Sequence, residues 1–325
     1  MPLLAWAREP SDELPVMIPA VLALLTSAFF GTSDFVAAIT SRRISSVDVA
    51  LWSQFAGAIV LVAALALSGQ RPDASGVTWG AASGVVAAFG VLVFYRALAI
   101  GPTSVVSPIA ASGVAVPVLV GALGGDPPSA VVIVGLLAAV GGLTIVSLVS
   151  GKDPDDVVQP CPGRKPLLER NVSPGPTEGF GNPRRVVPLA LLAALCFGSF
   201  FVLLDRGTAG AEASVLWVAF GVGGGSLATT VGVALFSHRH SGGLRLPPVG
   251  LLVPIGLVGV LAVCGDVSLT YAMTSGQLGV VSVLASLDIL VTVVLARFLL
   301  AECPRRLQWA GVVLSVVGVV LISVG

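Results

Sequence analysis

The chain has 325 residues, 55% of them hydrophobic and only 10% charged, with 39 glycines and a mean hydropathy of +1.00. A soluble domain carries about 25% charged residues, so this composition cannot cover a water-facing surface and a soluble globular fold is excluded. The 17 Lys and Arg balance 17 Asp and Glu, which leaves no basic face for nucleic acid.

At about 20 apolar residues per bilayer crossing, the length admits around ten spans. The tail from Met1 to Pro15 sets Arg8 against Glu9, Asp12 and Glu13. That is unlike the positive start of a cleaved signal peptide, and the first apolar segment is expected to be retained. Apolar runs between polar breaks predict helices at 16–39, 47–68, 76–98, 102–122, 128–149, 186–204, 213–236, 249–274, 278–299 and 306–324. The one long connection, Gly151 to Pro183, is rich in Pro, Gly and charge without apolar periodicity. It reads as a mobile linker. The organisation expected is a tail (1–15), a first five-helix half (16–150), a linker (151–185) and a second half (186–325).

The two halves echo one another. Phe30-Gly31-Thr32 returns as Phe197-Gly198-Ser199, and Leu51-Trp52 returns as Leu216-Trp217. Tyr95 with Gly101 answers Tyr271 with Gly276, Val105-Val106-Ser107 answers Val280-Val281-Ser282, and Gly135 answers Gly311. Five helices per copy is an odd number, so the second copy must enter from the opposite side. Inverted repeats of this kind build secondary transporters, with a site near the midplane between the halves. The fold expected is an all-α polytopic membrane protein: ten transmembrane helices as two inverted five-helix repeats.

The segments FFGTSDFVAAITSRRIS, LWSQFAG, YRALAIGPTSVVSPIAA and QWAGVVLSVVGVVLIS resemble the EamA-type transporters of the drug/metabolite transporter superfamily, over nearly the whole chain apart from tail and linker. The resemblance implies a ten-helix carrier of small metabolites or drugs, usually an exporter. The chain departs from the family's Gly-Glu after helices four and nine, with Gly125-Asp126 and Ala301-Glu302 instead.

Charge inside a bilayer costs a few kcal/mol, so ionisable residues within spans are functional candidates. Asp34 in the first segment, Asp266 in the eighth and Asp288 in the ninth qualify. The repeat sets Asp266 opposite Gly90 and Asp288 opposite Gly113, which gives the second half charge where the first has none. Thr270 lies one turn from Asp266 and Thr292 one turn from Asp288, each on its aspartate's face, and Tyr271 lies one residue off the Asp266 stripe. Ser27 shares a face with Asp34. Arg96, beside Tyr95, either meets a carboxylate or substrate anion or snorkels to the interface. Pro108 and Pro117 interrupt the fourth segment and Pro254 the eighth, and broken helices often build transporter sites. Ser107 and Gln54 complete the candidate pocket. The bland alternative for each carboxylate is burial against Arg or hydroxyls for packing alone.

What is absent narrows the class. Neither His238 nor His240 lies in a span, Cys161, Cys196, Cys264 and Cys303 form no CxxC pair, and no HExxH or GxxxxGK[ST] motif occurs, so no nucleophile–base pair, metal site or cofactor is expected. The expected partners are a small-molecule substrate and the lipid bilayer, with a homodimer allowed. The rivals are a non-transporting scaffold or sensor of the same fold, and an intramembrane aspartyl hydrolase with Asp266 and Asp288 sharing a proton. Lys and Arg number three on the side of the termini (Arg8, Arg71, Arg206) against fourteen on the other, or against eight without the linker. That favours the linker in the cytoplasm, whereas the family resemblance implies the termini inside. The expectation is a multi-pass carrier of the cell membrane, not an enzyme.

Overall fold

The computed structural model describes residues 17–41, 43–100, 106, 109–110, 112–124, 129–150, 183–209, 214–238, 246–299 and 306–324. Within them the chain is helical, as a lipid-facing backbone requires, because only a helix bonds its own N–H and C=O groups without water. The helices are α1 (Met17–Thr40), α2 (Ser46–Ser68), α3 (Ala74–Ile100), α4 (Ala115–Leu123, entered through a 3-10 turn at Ser112–Val114), α5 (Ala130–Ser150), α6 (Pro183–Thr208), α7 (Val215–His238), α8 (Val249–Ser275), α9 (Leu278–Ala285), α10 (Asp288–Leu299) and α11 (Arg306–Val324). Six of them (α1, α2, α3, α6, α7 and α8) are long and apolar enough to cross a membrane. The other described helices are apolar but qualify only over shorter stretches. This is a multi-pass integral membrane protein.

The predicted segment 278–299 is not a single helix: it breaks at Ser286–Leu287, so α9 and α10 are separate and Asp288 opens α10 instead of lying mid-helix. At the break Leu287 N–H turns back to Leu284 C=O at 3.3 Å, a tightened last turn. The predicted segment 102–122 is likewise not one α-helix over its described residues: a 3-10 turn at Ser112–Val114 precedes α4, and Pro117 stands in the first turn of α4. Pro254, by contrast, stands inside the continuous α8.

Local chemistry explains the ends. Ser45 caps α2 by accepting from Asp48 N–H at 3.1 Å while its hydroxyl donates to the Asp48 carboxylate at 3.0 Å. Gly69 ends α2 at φ +62°, a left-handed cap open to glycine without steric cost.

Lipid is as apolar as leucine, so helices associate here by close packing and interhelical hydrogen bonds. α3 and α7 run parallel in the tightest seam. A Cβ on Gly80 or Gly84 would land on the carbonyls of Val218 and Val222, and one on Gly221 or Gly225 on those of Val77 and Ala81. Ser226 Oγ donates to Gly84 C=O at 3.1 Å in the same seam. At its start, Ser214 Oγ donates to Gln70 Oε1, and the Trp217 indole N–H donates to Gln70 C=O at 3.5 Å. The corresponding seam of α2 on α8 is thinner, one glycine pair, Gly57 against Gly259. α1 runs antiparallel to α8, with Thr26 beside Gly265 and Ser33 beside Val258, and α5 antiparallel to α11, with Gly318 on Gly135 and Ala139. The main core joins Ala23, Leu204, Val218, Val222, Leu269 and Met273, drawn from both halves.

Candidate functional site

Hydrogen bonds on two sides fix how α1 is turned. On one side Ser33 Oγ donates to Val258 C=O at 3.1 Å and α1's Leu22 C=O accepts from Ser268 Oγ at 2.9 Å, which sets the face toward α8. On the other, Ser27 Oγ donates to Leu284 C=O, and Gly31 C=O accepts from Thr292 Oγ1 at 3.0 Å, which sets the face toward α9 and α10. At 3.6 residues per turn, Asp34 falls between those faces, two turns beyond Ser27. It points into the middle of the packed side of α1, yet it is exposed, as is Ala38 one turn further. Both exposed residues lie in the C-terminal half of α1, on the side turned toward α8, α9 and α10.

Asp288 lies close to Asp34. It stands against Gly31, where a Cβ would strike the Asp288 carbonyl, and the Asp34 and Asp288 carboxylates are near enough for their charges to act on one another. Thr292 returns its proton to Gly31 C=O and, at 3.1 Å, to Asp288 C=O.

Asp266 is inside the bundle but not beside that pair. It lies on the face of α8 that buries Leu269 and Met273. The antiparallel register with α1 sets it level with Leu25, roughly 13 Å along the axis from Asp34 at 1.5 Å per residue. By the same measure Asp266 and Asp288 are about 9 Å apart along the axis. That is too far to share a proton, and it removes the hydrolase arrangement.

The packing also corrects the internal register. Gly31 rests on Asp288 and Val291 as Gly198 rests on Gly113 and Val116, so Asp288 does correspond to Gly113. Phe30 lies on Gly265 as Phe197 lies on Gly90, so the partner of Gly90 is Gly265, and Asp266 corresponds to Val91, one residue on. Val91 is 37% exposed although its face of α3 packs inward. The same register sets Asp34 opposite Phe201, Tyr95 opposite Thr270 and Arg96 opposite Tyr271.

The remaining candidates divide accordingly. Thr270 is buried and donates to Asp266 C=O at 2.7 Å, so its proton is already used. Tyr271, 46% exposed, lies on the outer face of α8 with Val253 and Val260 and turns away from Asp266, because five residues carry it to the other side of the helix. Arg96 is exposed on the face of α3 shared by Val85 and Phe89 and makes no ion pair with the aspartates among the described residues. It is placed to snorkel. Gln54 Nε2 donates to Thr230 Oγ1 at 3.1 Å across α2 and α7, and its buried Oε1 has no partner. Tyr95 is in α3, but its side chain, with Ser107 and Pro108, lies outside the described residues. Among the described residues no three His, Cys, Asp or Glu side chains gather as a metal site. Sequence reasoning missed Thr230, which no spacing singles out, and the weight of Ser27, whose only signal is its seven-residue spacing from Asp34.

The model of the EamA-like transporter family matches residues 17–148 and 184–324. A solved crystal structure of a protein aligns over 93% of this chain and 95% of its own, with a TM-score of 0.67 at 18% identity, which is a likeness of fold. No curated protein sequence matches.

Proposed function

The chain belongs to the EamA-like transporter family, and on that premise we propose that it is a secondary transporter of a small metabolite or drug in the cell membrane, working as an exporter by alternating access. In this proposal ten spans form two inverted repeats. The antiparallel packing of α5 on α11, the last helix of each half, supports the inversion. The observation that carries the function is the exposed Asp34 inside the bundle, facing Asp288. Read as an internal cleft lined by carboxylates, this arrangement favours positive charge, delivered as a cationic or zwitterionic solute or as a coupling proton.

The unequal seams support alternating access. In this state the glycine seam of α3 on α7 closes the end where α1 begins, while the thinner seam of α2 on α8 borders the end where Asp34 and Ala38 are exposed. Exchanging the two seams would turn the cleft to the other face. A scaffold or sensor of the same fold predicts a dry, apolar centre, and the exposed Asp34 argues against it.

Flux in sealed proteoliposomes, with an imposed pH gradient and a panel of amino acids and organic cations, tests the proposal. Gradient-dependent flux that is lost in Asp34→Asn or Asp288→Asn supports it. Flux of some solute that both variants leave untouched refutes the assigned site, and absence of flux for every cation and zwitterion refutes the solute class.

A further inference from the structure

We propose that Ser27 is a positioning residue for the acidic site: its hydroxyl ties α1 to the end of α9 and so holds Asp288, at the start of α10, opposite Asp34. The assignment rests on the carrier role of that site. Ser27 is 2% exposed. Its Oγ reaches Leu284 C=O and, at 3.2 Å, Ala285 C=O across the helix crossing, with the own-helix carbonyl of Ala23 further off at 3.3 Å. A hydroxyl has a single proton to give, and the shorter contacts are those to α9.

Leu284 and Ala285 are the last residues before the break at Ser286–Leu287. The α-helix is interrupted between α9 and α10, with only a hydrogen-bonded turn between them, so contacts from α1 bear on the orientation of Asp288. α1 does this on both sides of the break: Ser27 holds the end of α9, and Gly31 C=O accepts from Thr292 Oγ1 one turn into α10 at 3.0 Å.

The first half of the chain supplies the control. Ala194 precedes Gly198 by four residues as Ser27 precedes Gly31, and Gly113 stands where Asp288 stands. A Cβ on Gly113 would run into the Ala194 backbone, so that crossing has no room for a carboxylate. Hydroxyl and carboxylate are present together in one half and absent together from the other. A serine needed only to pack two helices would serve both crossings; one that aims a carboxylate is needed only where there is a carboxylate to aim.

The test does not depend on transport. In a chain whose native cysteines are replaced by serine, Asp34→Cys and Asp288→Cys are combined and the rate of disulfide formation is followed with Ser27 intact, with Ser27→Ala, and with the isosteric pair Ser27→Thr and Ser27→Val. The expected result is about tenfold slower crosslinking in Ser27→Ala and Ser27→Val, the upper range for losing one interhelical hydrogen bond in a membrane, and recovery in Ser27→Thr. With both aspartates present, Ser27→Ala is expected to raise KM for the transported solute and leave the maximal rate nearly unchanged. Equal crosslinking rates in Ser27→Thr and Ser27→Val would overturn the assignment even where Ser27→Ala fails to fold. Crosslinking as expected in a chain that carries no solute would uphold it and refute the carrier role instead.

Discussion

Gly31 lies against the backbone of Asp288 so closely that no side chain fits between α1 and α10 at that point. The crossing sets the distance between Asp34 and Asp288, because Asp34 follows Gly31 by three residues. Gly31→Val is expected to force the helices apart, costing about 1–3 kcal/mol as overpacking does, and to remove transport. A melting curve together with flux in the folded fraction checks it. A Gly31→Val protein of parental stability would mean that the crossing is looser than its packing indicates.

The seam of α3 on α7 allows a sharper comparison within one helix pair. Gly84 faces the Val222 carbonyl, whereas Gly224 has open space around the position of a Cβ. Gly84→Val is expected to destabilise the protein by about 1–3 kcal/mol, and Gly224→Val to stay within about 0.5 kcal/mol of the parent. Equal effects in detergent melting would show that the seam does not depend on close backbone approach.

Asp266 and Tyr271 are five residues apart and face opposite ways, so their substitutions should separate. Asp266→Asn, which removes an ionisable group from inside the bundle, is expected to lower flux about tenfold, or about 1.4 kcal/mol. Tyr271→Phe and Arg96→Gln, on outer faces, are expected to leave flux within about twofold. A large effect of Tyr271→Phe would mean that the outer face of α8 joins the pathway.

Gln54 donates to Thr230 while its own buried oxygen has no partner. Gln54→Leu removes the satisfied and the unsatisfied atom together and is expected to leave stability nearly unchanged. Thr230→Val leaves both ends of the half-buried carboxamide without a protein partner and is expected to cost about 1 kcal/mol, the loss of a hydrogen bond. Thermal melts of the two variants decide it, and a greater loss in Gln54→Leu would contradict this account.

Membrane location and the two-part layout were legible in the sequence, because lipid fixes the length and composition of each span and the FG motif of Phe30-Gly31 returns at Phe197-Gly198. The three carboxylates were legible as well, since charge is costly in hydrocarbon wherever it stands. Their grouping was not. Apolar content is nearly uniform around such helices, so periodicity cannot tell an inward face from a lipid-facing one, and the pairing of Asp34 with Asp288 apart from Asp266 depends on crossings such as Gly31 on α10. The break at Ser286–Leu287 carries neither Pro nor Gly and left no local mark. The matching tyrosines suggested an alignment one residue out of register, and only the packing of Phe30 on Gly265 corrects it.

The proposed carrier has a water-filled cleft that takes solute beside Asp34 and opens at one face of the membrane at a time. Labelling of Ala38→Cys by a membrane-impermeant thiol reagent, in vesicles of known orientation and with the native cysteines replaced by serine, tests it most directly. The account predicts reaction from the face where α1 ends, slowed by a transported solute in the parent background and no longer slowed when Asp288→Asn is added. A thiol at Ala38 that stays unreactive from both faces, or reacts without regard to solute, would contradict it.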